Sequence, residues 1–191
     1  MDNDNNAILI LMNSGDGTFA APVPYQVGNS PGSLISADFN SDGIIDLAAA
    51  NLTDGSISVL IGKGAGAFNS AATSTGGDTR GNDADMVWAD FNHDGKPDLL
   101  ISYSSTNCFS LLLGKGDGNF QPSVDYITTA EPFSEGVLPL DDGTLMVLTR
   151  DALTGEVDLS RRHLDVLAPS SLLPRAKRAR LRLRQLWEAP R

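Results

Sequence analysis

Two runs of short, oxygen-bearing side chains recur along the sequence, and their types and spacing suit metal binding. Positions 1, 3, 5 and 9 of each run carry an acid or an amide, namely Asp38, Asn40, Asp42 and Asp46 in the first run and Asp90, Asn92, Asp94 and Asp98 in the second. The peptide oxygen at position 7, from Ile44 or Lys96, adds a further possible ligand. Such an all-oxygen set suits Ca²⁺, with its roughly six to eight oxygen ligands, better than Zn²⁺ or Cu²⁺. We therefore predict two Ca²⁺ sites, with Mg²⁺ ranked second because it requires a stricter octahedral geometry.

These runs differ from the EF-hand, the best-known calcium loop. An EF-hand requires a bidentate glutamate at position 12 and a helix on each side of the loop. Position 12 here is Ala49 or Ile101, and each lies within an apolar segment. The acid at position 9 is followed at once by Leu47 or Leu99, a pattern that favours a loop opening into a strand.

The elements that position these loops are repeated as well. Three glycine-rich segments end in phenylalanine, and they are Asn13–Phe19, Gly62–Phe68 and Gly114–Phe120. Their phenylalanines lie 49 and 52 residues apart, and the two acidic runs lie 52 apart. A period of about 50 residues is typical of propeller or solenoid units.

Within each repeat the hydrophobic pattern predicts short strands. Ile57, Val59 and Ile61 alternate with serines, which is the period of two expected of a strand. The dipeptide Asp54-Gly55 predicts a hairpin turn, since it tolerates positive φ. Prolines follow two of the closing phenylalanines, and this placement favours an outermost strand, namely at Pro22, Pro24 and Pro122. We therefore predict an all-β fold in which each full repeat forms about four antiparallel strands, one blade of a β-propeller.

A third, degenerate copy of the repeat is predicted from about residue 129. An offset of 100 places Asp142-Gly143 on the turn of the first acidic run. The positions of its ligands are taken by apolar residues, namely Leu138, Leu140 and Met146. The strands are expected to persist there without a metal site.

The motif Ala-Asp-Phe-Asn-x-Asp-Gly-x-x-Asp-Leu, followed by a Gly-x-Gly-x-Phe turn, resembles the FG-GAP/VCBS repeat of integrin α-subunit-like propellers. The resemblance covers about residues 7–128 well and 129–160 poorly. It implies a propeller, usually of seven blades, with Ca²⁺ in the loops between the first two strands of a blade, and so with the two acidic runs as ligands. Two full repeats with partial ones cannot close a ring of at least about four blades. The expectation is an incomplete ring, either a fragment lacking blades or a chain that associates with its own copies.

Charge divides the chain into two predicted regions. Residues 1–159 contain 5 basic and 22 acidic side chains, whereas residues 160–191 contain 9 basic and 2 acidic ones. We place the propeller repeats in 1–160 and a basic Arg/Leu-rich tail in 161–191. The net charge of −10 argues against nucleic acid as a partner of the whole chain. The tail is open to three interpretations: a helix on an anionic membrane, a nucleic-acid contact, or an unstructured extension.

Several single residues are assigned to packing instead of chemistry. Phe39 and Phe91 are predicted to pack between blades. Tyr25 and Tyr126 are interpreted as strand-packing residues or surface contacts, with packing favoured, and Trp88 as a core residue in preference to a sugar platform. Cys108, the one cysteine, is expected to be a small packed residue, and it excludes an intrachain disulfide. His93, at position 4 of the second run, is expected to be exposed.

Three functional hypotheses follow from the sequence. The first is a non-enzymatic, calcium-stabilised module for protein or glycan binding or adhesion, at the cell surface or secreted. The resemblance and the millimolar affinity typical of extracellular Ca²⁺ modules favour that location, although no signal peptide is recognised in residues 1–12. The second is a fragment of a propeller-containing carbohydrate-active enzyme, a lyase or hydrolase, but no catalytic constellation is recognised. The third is a protein that binds a membrane or nucleic acid through its tail.

Overall fold

A computed structural model describes residues 1–76, 84–103, 108–127, 131–139, 144–150 and 157–163. The regular structure in these ranges is β-strand throughout. The strands are β1 (Ala7–Ile10), β2 (Val23–Gln26), β3 (Pro31–Ala37), β4 (Asp46–Asn51), β5 (Ser56–Leu60), β6 (Gly62–Gly64), β7 (Ala67–Phe68), β8 (Ala72–Thr75), β9 (Ala84–Ala89), β10 (Asp98–Tyr103), β11 (Cys108–Leu112), β12 (Val124–Ile127), β13 (Glu131–Pro139), β14 (Thr144–Arg150) and β15 (Val157–His163). None of the described residues belongs to a helix of the length and apolarity needed to cross a membrane.

The strands form four successive antiparallel sheets and one small hairpin. Sheet I is β1-β2, sheet II is β3-β4-β5-β8, sheet III is β9-β10-β11-β12 and sheet IV is β13-β14-β15, while β6 and β7 form the hairpin. The predicted all-β class is therefore confirmed. The described strands do not close into a ring.

The turn chemistry read from the sequence accounts for the connections. Between β4 and β5, Gly55 has a φ of +60°, and the Asp54 side chain accepts the N–H of Ser56 at 3.0 Å. The predicted hairpin turn is thus confirmed. The outermost strands β2, β8 and β12 follow the closing phenylalanines, and Pro24 lies in β2, where no further described strand requires its missing N–H.

Hydrophobic clusters fill the spaces between neighbouring sheets. Residues of sheets I and II share one cluster, which includes Ile8, Ala49 and Leu60. A larger cluster joins sheets II and III through residues such as Ile57 and Leu99. The middle strands β4 and β5 of sheet II are therefore covered on both faces. Strands β10 and β11 of sheet III are covered by sheet II on one face and contact β13 of sheet IV as well, so the residues of all four strands are almost all buried.

Two of the three closing turns, Gly62–Phe68 and Gly114–Phe120, are anchored on the sheet before them. Phe120, which closes sheet III, packs edge-to-face against Phe39 of sheet II, with ring centroids 5.8 Å apart. The N–H of Gly118 also donates to the carbonyl of Phe39 at 3.1 Å. Phe39 therefore packs between sheets, as predicted, and Phe91 is buried in a third cluster on the other face of sheet III.

The other single-residue expectations are mostly confirmed. Tyr25 packs against Phe68, Cys108 is buried and His93 is exposed. Tyr126 stacks on Phe109 with ring centroids 5.0 Å apart.

The prediction that Trp88 belongs to the core is wrong, because its side chain is 49% exposed. Trp88 lies on β9, the first strand of its sheet, and no described strand pairs with the outer edge of β9. Its ring borders an open groove that is also lined by Leu34, Ile35 and Leu47 of sheet II.

Sheet IV lies in the segment that was predicted to be a degenerate third repeat. Its three strands lie at the positions that an offset of 100 gives for β3, β4 and β5. The boundary placed at residue 160 falls within β15. Asp142-Gly143, Leu140 and the tail beyond residue 163 lie outside the described residues.

Candidate metal centre

Both acidic runs lie in the loop that connects the first two strands of a full sheet. Residues 38–45 join β3 to β4, and residues 90–97 join β9 to β10. The position-9 aspartates, Asp46 and Asp98, are the first residues of β4 and β10. Each predicted set of ligands thus lies within one loop and the first residue of the strand after it. That strand is buried.

The first half of each loop folds around its own backbone amides. Asp38 accepts the N–H groups of Asp42 and Gly43 at 3.1 and 2.8 Å, and Asn40 also accepts that of Asp42, at 3.1 Å. Asp42 in turn accepts the N–H of Ile44 at 2.8 Å. The side chains at positions 1, 3 and 5 therefore shape the turn as well as supplying oxygen atoms.

The second loop repeats this arrangement bond for bond. Asp90 accepts the N–H groups of Asp94 and Gly95 at 3.0 and 2.8 Å, and Asn92 accepts that of Asp94 at 3.0 Å. Asp94 accepts the N–H of Lys96 at 3.0 Å. One local geometry is therefore specified twice, by two sequences that differ at positions 4, 7 and 8.

The aspartate at position 9 has a different environment. Asp46 is fully buried, and its two oxygens accept the N–H groups of Phe39 at 2.9 Å and Gly62 at 2.7 Å. Each oxygen thus holds a different segment, one at the start of the loop and one at the closing turn. A single carboxylate therefore joins three segments of sheet II.

Asp98 makes the same two bonds in sheet III. It is also fully buried, and it accepts the N–H groups of Phe91 at 2.9 Å and Gly114 at 2.8 Å. Sequence reasoning assigned position 9 only a ligand role and missed this connection to the closing turn. A usable signal existed, since the acid precedes the first glycine of the closing turn by 16 residues in both repeats.

The first residue of the closing turn, Gly62 or Gly114, is a glycine because it lies close to the backbone of the metal loop. A Cβ atom on Gly62 would overlap the carbonyl oxygen of Ile45, and one on Gly114 would overlap that of Pro97. Both carbonyls belong to position 8 of the metal loop. The closing turn and the loop are therefore in backbone contact, and a larger residue would separate them.

The electrostatics of the buried aspartates oppose their ionisation. Burial raises the pKa of Asp98 to about 6, and the negative charges of Asp94 and Asp90 add to the rise, while the two N–H bonds counteract it. The pKa of Asp46 is raised for the same reasons, burial first and then the charges of Asp42 and Asp38. A bound cation would remove this penalty by favouring the ionised carboxylates.

The residues fit Ca²⁺ by the chemistry of their donors. Within the described ranges, no three His, Cys, Asp or Glu side chains lie together in a geometry that could already hold a metal ion. The loop oxygens instead accept the hydrogen bonds described above, and each carboxylate oxygen keeps a further lone pair for a cation. The carboxylates and amide of each run, with the carbonyl of Ile44 or Lys96, would hold the ion, which supplies positive charge and cross-links the loop.

The two loops differ in one electrostatic respect. The Lys96 ammonium lies 3.7 Å from the Asp94 carboxylate, so the second loop carries a cation of its own. The first loop has the apolar Ile44 at that position. The pair is partly exposed, and such pairs are typically worth less than about 1 kcal/mol.

A second surface feature lies away from the loops. A groove of about 530 Å³ runs between β3 and β9, and it is lined by Leu34, Ile35, Leu47, Met86 and Trp88, with Ser36 among them. The exposed indole ring of Trp88 gives this groove an aromatic wall. Aromatic residues in concave, mostly apolar surfaces are typical of binding sites.

The structural role of position 9 can be separated from a metal role. In chelator, Asp46→Ala should lower the free energy of unfolding by roughly 2–4 kcal/mol, because two buried N–H groups lose their partner. Asp42→Ala removes an exposed side chain and should cost less than about 1 kcal/mol under the same conditions. Denaturant unfolding of both variants measures the difference, and equal losses would contradict the assignment.

The raised pKa of Asp98 predicts how stability changes with pH in the chelated chain. Its folded value of about 6 exceeds the ordinary value, so its stabilising contribution is complete below about pH 4 and is lost as the pH rises through about 6. Raising the pH from 5 to 8 should lower the free energy of unfolding by about 1 kcal/mol from this group. Denaturant titrations across this range measure it, and Asp98→Asn should flatten the curve. A wild-type curve that rises across this range would refute the prediction.

Comparison with known proteins agrees with this geometry. Residues 38–101 match the family model of the FG-GAP-like repeat, a stretch that includes both acidic loops and the strands between them. No curated protein and no solved structure matches the chain. Residues 38–101 are therefore similar to an FG-GAP-like repeat, in agreement with the sequence resemblance.

Proposed function

We propose that the chain is a non-enzymatic repeat module that binds Ca²⁺ in two loops and presents its sheets for protein or glycan binding at the cell surface. The observation that carries the proposal is the duplicated loop, in which the same hydrogen bonds surround the same oxygen-bearing residues. Each loop ends on a fully buried aspartate whose ionisation is disfavoured without a cation.

The role of the ion would be structural. Positive charge at the loop lets three neighbouring carboxylates stay ionised together, which is otherwise unfavourable. Ionised Asp46 then holds the amides of Phe39 and Gly62 by charge-assisted bonds. Phe39 in turn contacts the closing turn of the next sheet: its ring packs on Phe120, and its carbonyl accepts the N–H of Gly118. The charge of the loop would thereby influence how one sheet packs against the next. We interpret these successive sheets as blades of a propeller.

The binding surface we favour is the groove beside Trp88. Its aromatic wall and apolar floor, with the hydroxyl of Ser36, suit a peptide side chain or the face of a sugar ring. FG-GAP repeats occur in binding modules, are commonly extracellular and are typically non-catalytic. An extracellular setting would also supply Ca²⁺ at the concentrations that such loops require.

Calcium titration by isothermal calorimetry tests the proposal. The wild-type chain should bind two Ca²⁺ ions, whereas Asp42→Asn and Asp94→Asn should each remove one and the double variant both. Asp117→Asn is the matched control, because Asp117 is an exposed turn acid outside the loops that accepts the N–H of Asn119. No binding by the wild-type chain, or unchanged binding by the double variant, would refute the metal assignment.

The lysine in the second loop predicts unequal sites. Lys96→Ile gives this loop the residue found in the first, and it removes the ammonium that lies beside Asp94. We expect Ca²⁺ to bind the second site up to about fivefold more tightly, since a surface pair is worth at most about 1 kcal/mol. The same titration in the Asp42→Asn background isolates that site, and a weaker affinity would contradict the prediction.

A further inference from the structure

The groove beside Trp88 lies between two edge strands. β3 is the first strand of sheet II and β9 the first strand of sheet III, and neither pairs with another described strand on its outer side. Leu34 and Trp88 line the groove and are 38% and 49% exposed, and Met86 lies on the same face of β9 as Trp88. The groove owes its exposure to the way two described sheets meet. Exposed apolar surfaces of this kind mark interaction sites.

Negative charge borders one end of this groove. β3 ends at Ala37 and β9 at Ala89, and in each case the next residue begins an acidic loop. Asp42 and Asp94 are exposed in these loops. Lys96 is the one lysine or arginine of the two loops, and its ammonium already lies beside Asp94. An occupant that complements the groove should therefore combine apolar side chains with positive charge.

The basic tail of the same chain has this combination. Residues 175–184 carry six basic side chains and no acidic one. From Arg178 to Arg184 the sequence alternates strictly between arginine and an apolar residue, and the apolar members are Ala179, Leu181 and Leu183. A period of two gives an extended segment one apolar face and one charged face. With seven residues, the segment 178–184 also matches the length of β3, which borders the groove.

The tail begins close enough to reach the groove. β15 ends at His163, opposite Thr144, at the edge of sheet IV where β13 ends. Sheet IV in turn contacts β9 through β13. The fourteen residues 164–177 lie between His163 and Arg178, and fully extended they span about 46 Å. This reach is several times the roughly 10 Å between packed sheets. A segment tethered in this way has an effective concentration of the order of millimolar.

We propose that residues 178–184 of the tail dock as an extended segment in the groove of their own chain. Leu181 and Leu183 then cover Leu34 and Trp88, and the arginines offset the negative charge of the neighbouring loops. The docked tail would exclude a protein or glycan from the groove until it is displaced, so the chain would regulate its own binding surface. That consequence rests on the proposed function, whereas the docking itself does not.

Acrylamide quenching of Trp88 fluorescence in the full chain tests the docking. The chain has two tryptophans, so Trp187→Phe makes the signal report the groove alone. In this background, Leu181→Asp combined with Leu183→Asp places two charges in the apolar face of the segment. The quenching constant should rise at least about twofold, since a groove filled for half the time or more excludes the quencher for that fraction.

The matched control is Leu172→Asp combined with Leu173→Asp, the same change outside the alternating segment, which should leave the quenching constant unaltered. Equal constants in the parent chain and the Leu181→Asp/Leu183→Asp variant, or an equal rise in the control, would overturn the proposal. Docking within one chain does not depend on protein concentration. A quenching constant that rises on roughly hundredfold dilution would place the tail of a second copy in the groove and would also overturn it.

Disulfide trapping with an added oxidant gives a second readout that separates docking from misfolding. Ser36 is exposed and lines the groove. In the Cys108→Ser chain, Ser36→Cys with Leu183→Cys should form an intrachain disulfide, which mass spectrometry detects as a linked peptide. Ser36→Cys with Leu172→Cys should form far less of it, although an undocked tail would bring the nearer position to the groove at least as often. Equal trapping would overturn the proposal. Neither assay requires Ca²⁺ or a ligand, so a negative result would leave the metal assignment standing.

Discussion

A buried carboxylate at the start of the second strand is the interaction on which each full repeat depends. Asp46 and Asp98 each bind the amide that begins the metal loop and the amide that begins the closing turn. Each carboxylate thereby joins its own strand to a closing turn 16 residues further along the chain, through a group that is costly to bury. The proposed cation in the loop would offset this cost and would so link the metal to the fold.

The second constraint is that no sheet here is complete by itself. The middle strands are buried on both faces, so each sheet needs a neighbour on either side. Phe39 links its own sheet to the next one. Its N–H donates to the carboxylate of Asp46 in sheet II, and its ring packs against Phe120 in the closing turn of sheet III. Local loop geometry is thus transmitted along the stack by direct contact. Such nearest-neighbour coupling is typical of repeat proteins.

Much of this architecture could be predicted from the sequence because its signals are local. Asp54-Gly55 marked a hairpin and alternating residues such as Ile57 and Val59 marked strands, since both depend on backbone geometry within a few residues. The exposure of Trp88 could not be predicted in this way. It depends on how closely sheets II and III meet beside the groove, which is a property of the assembled sheets. The hydrogen bond from the Gly62 N–H to Asp46 was also missed. The sequence pattern already explained Asp46 as a metal ligand, so no second role was considered for it.

Amide hydrogen exchange followed by NMR tests the central claim most directly. The amides of Phe39, Gly62, Phe91 and Gly114 are the four that the buried aspartates hold. The account predicts slow exchange at all four in chelator and slower exchange when Ca²⁺ is added, because the ion would stabilise the ionised aspartates that accept these N–H groups. Exchange at these amides as fast as in an unfolded chain, or unchanged by Ca²⁺, would contradict it.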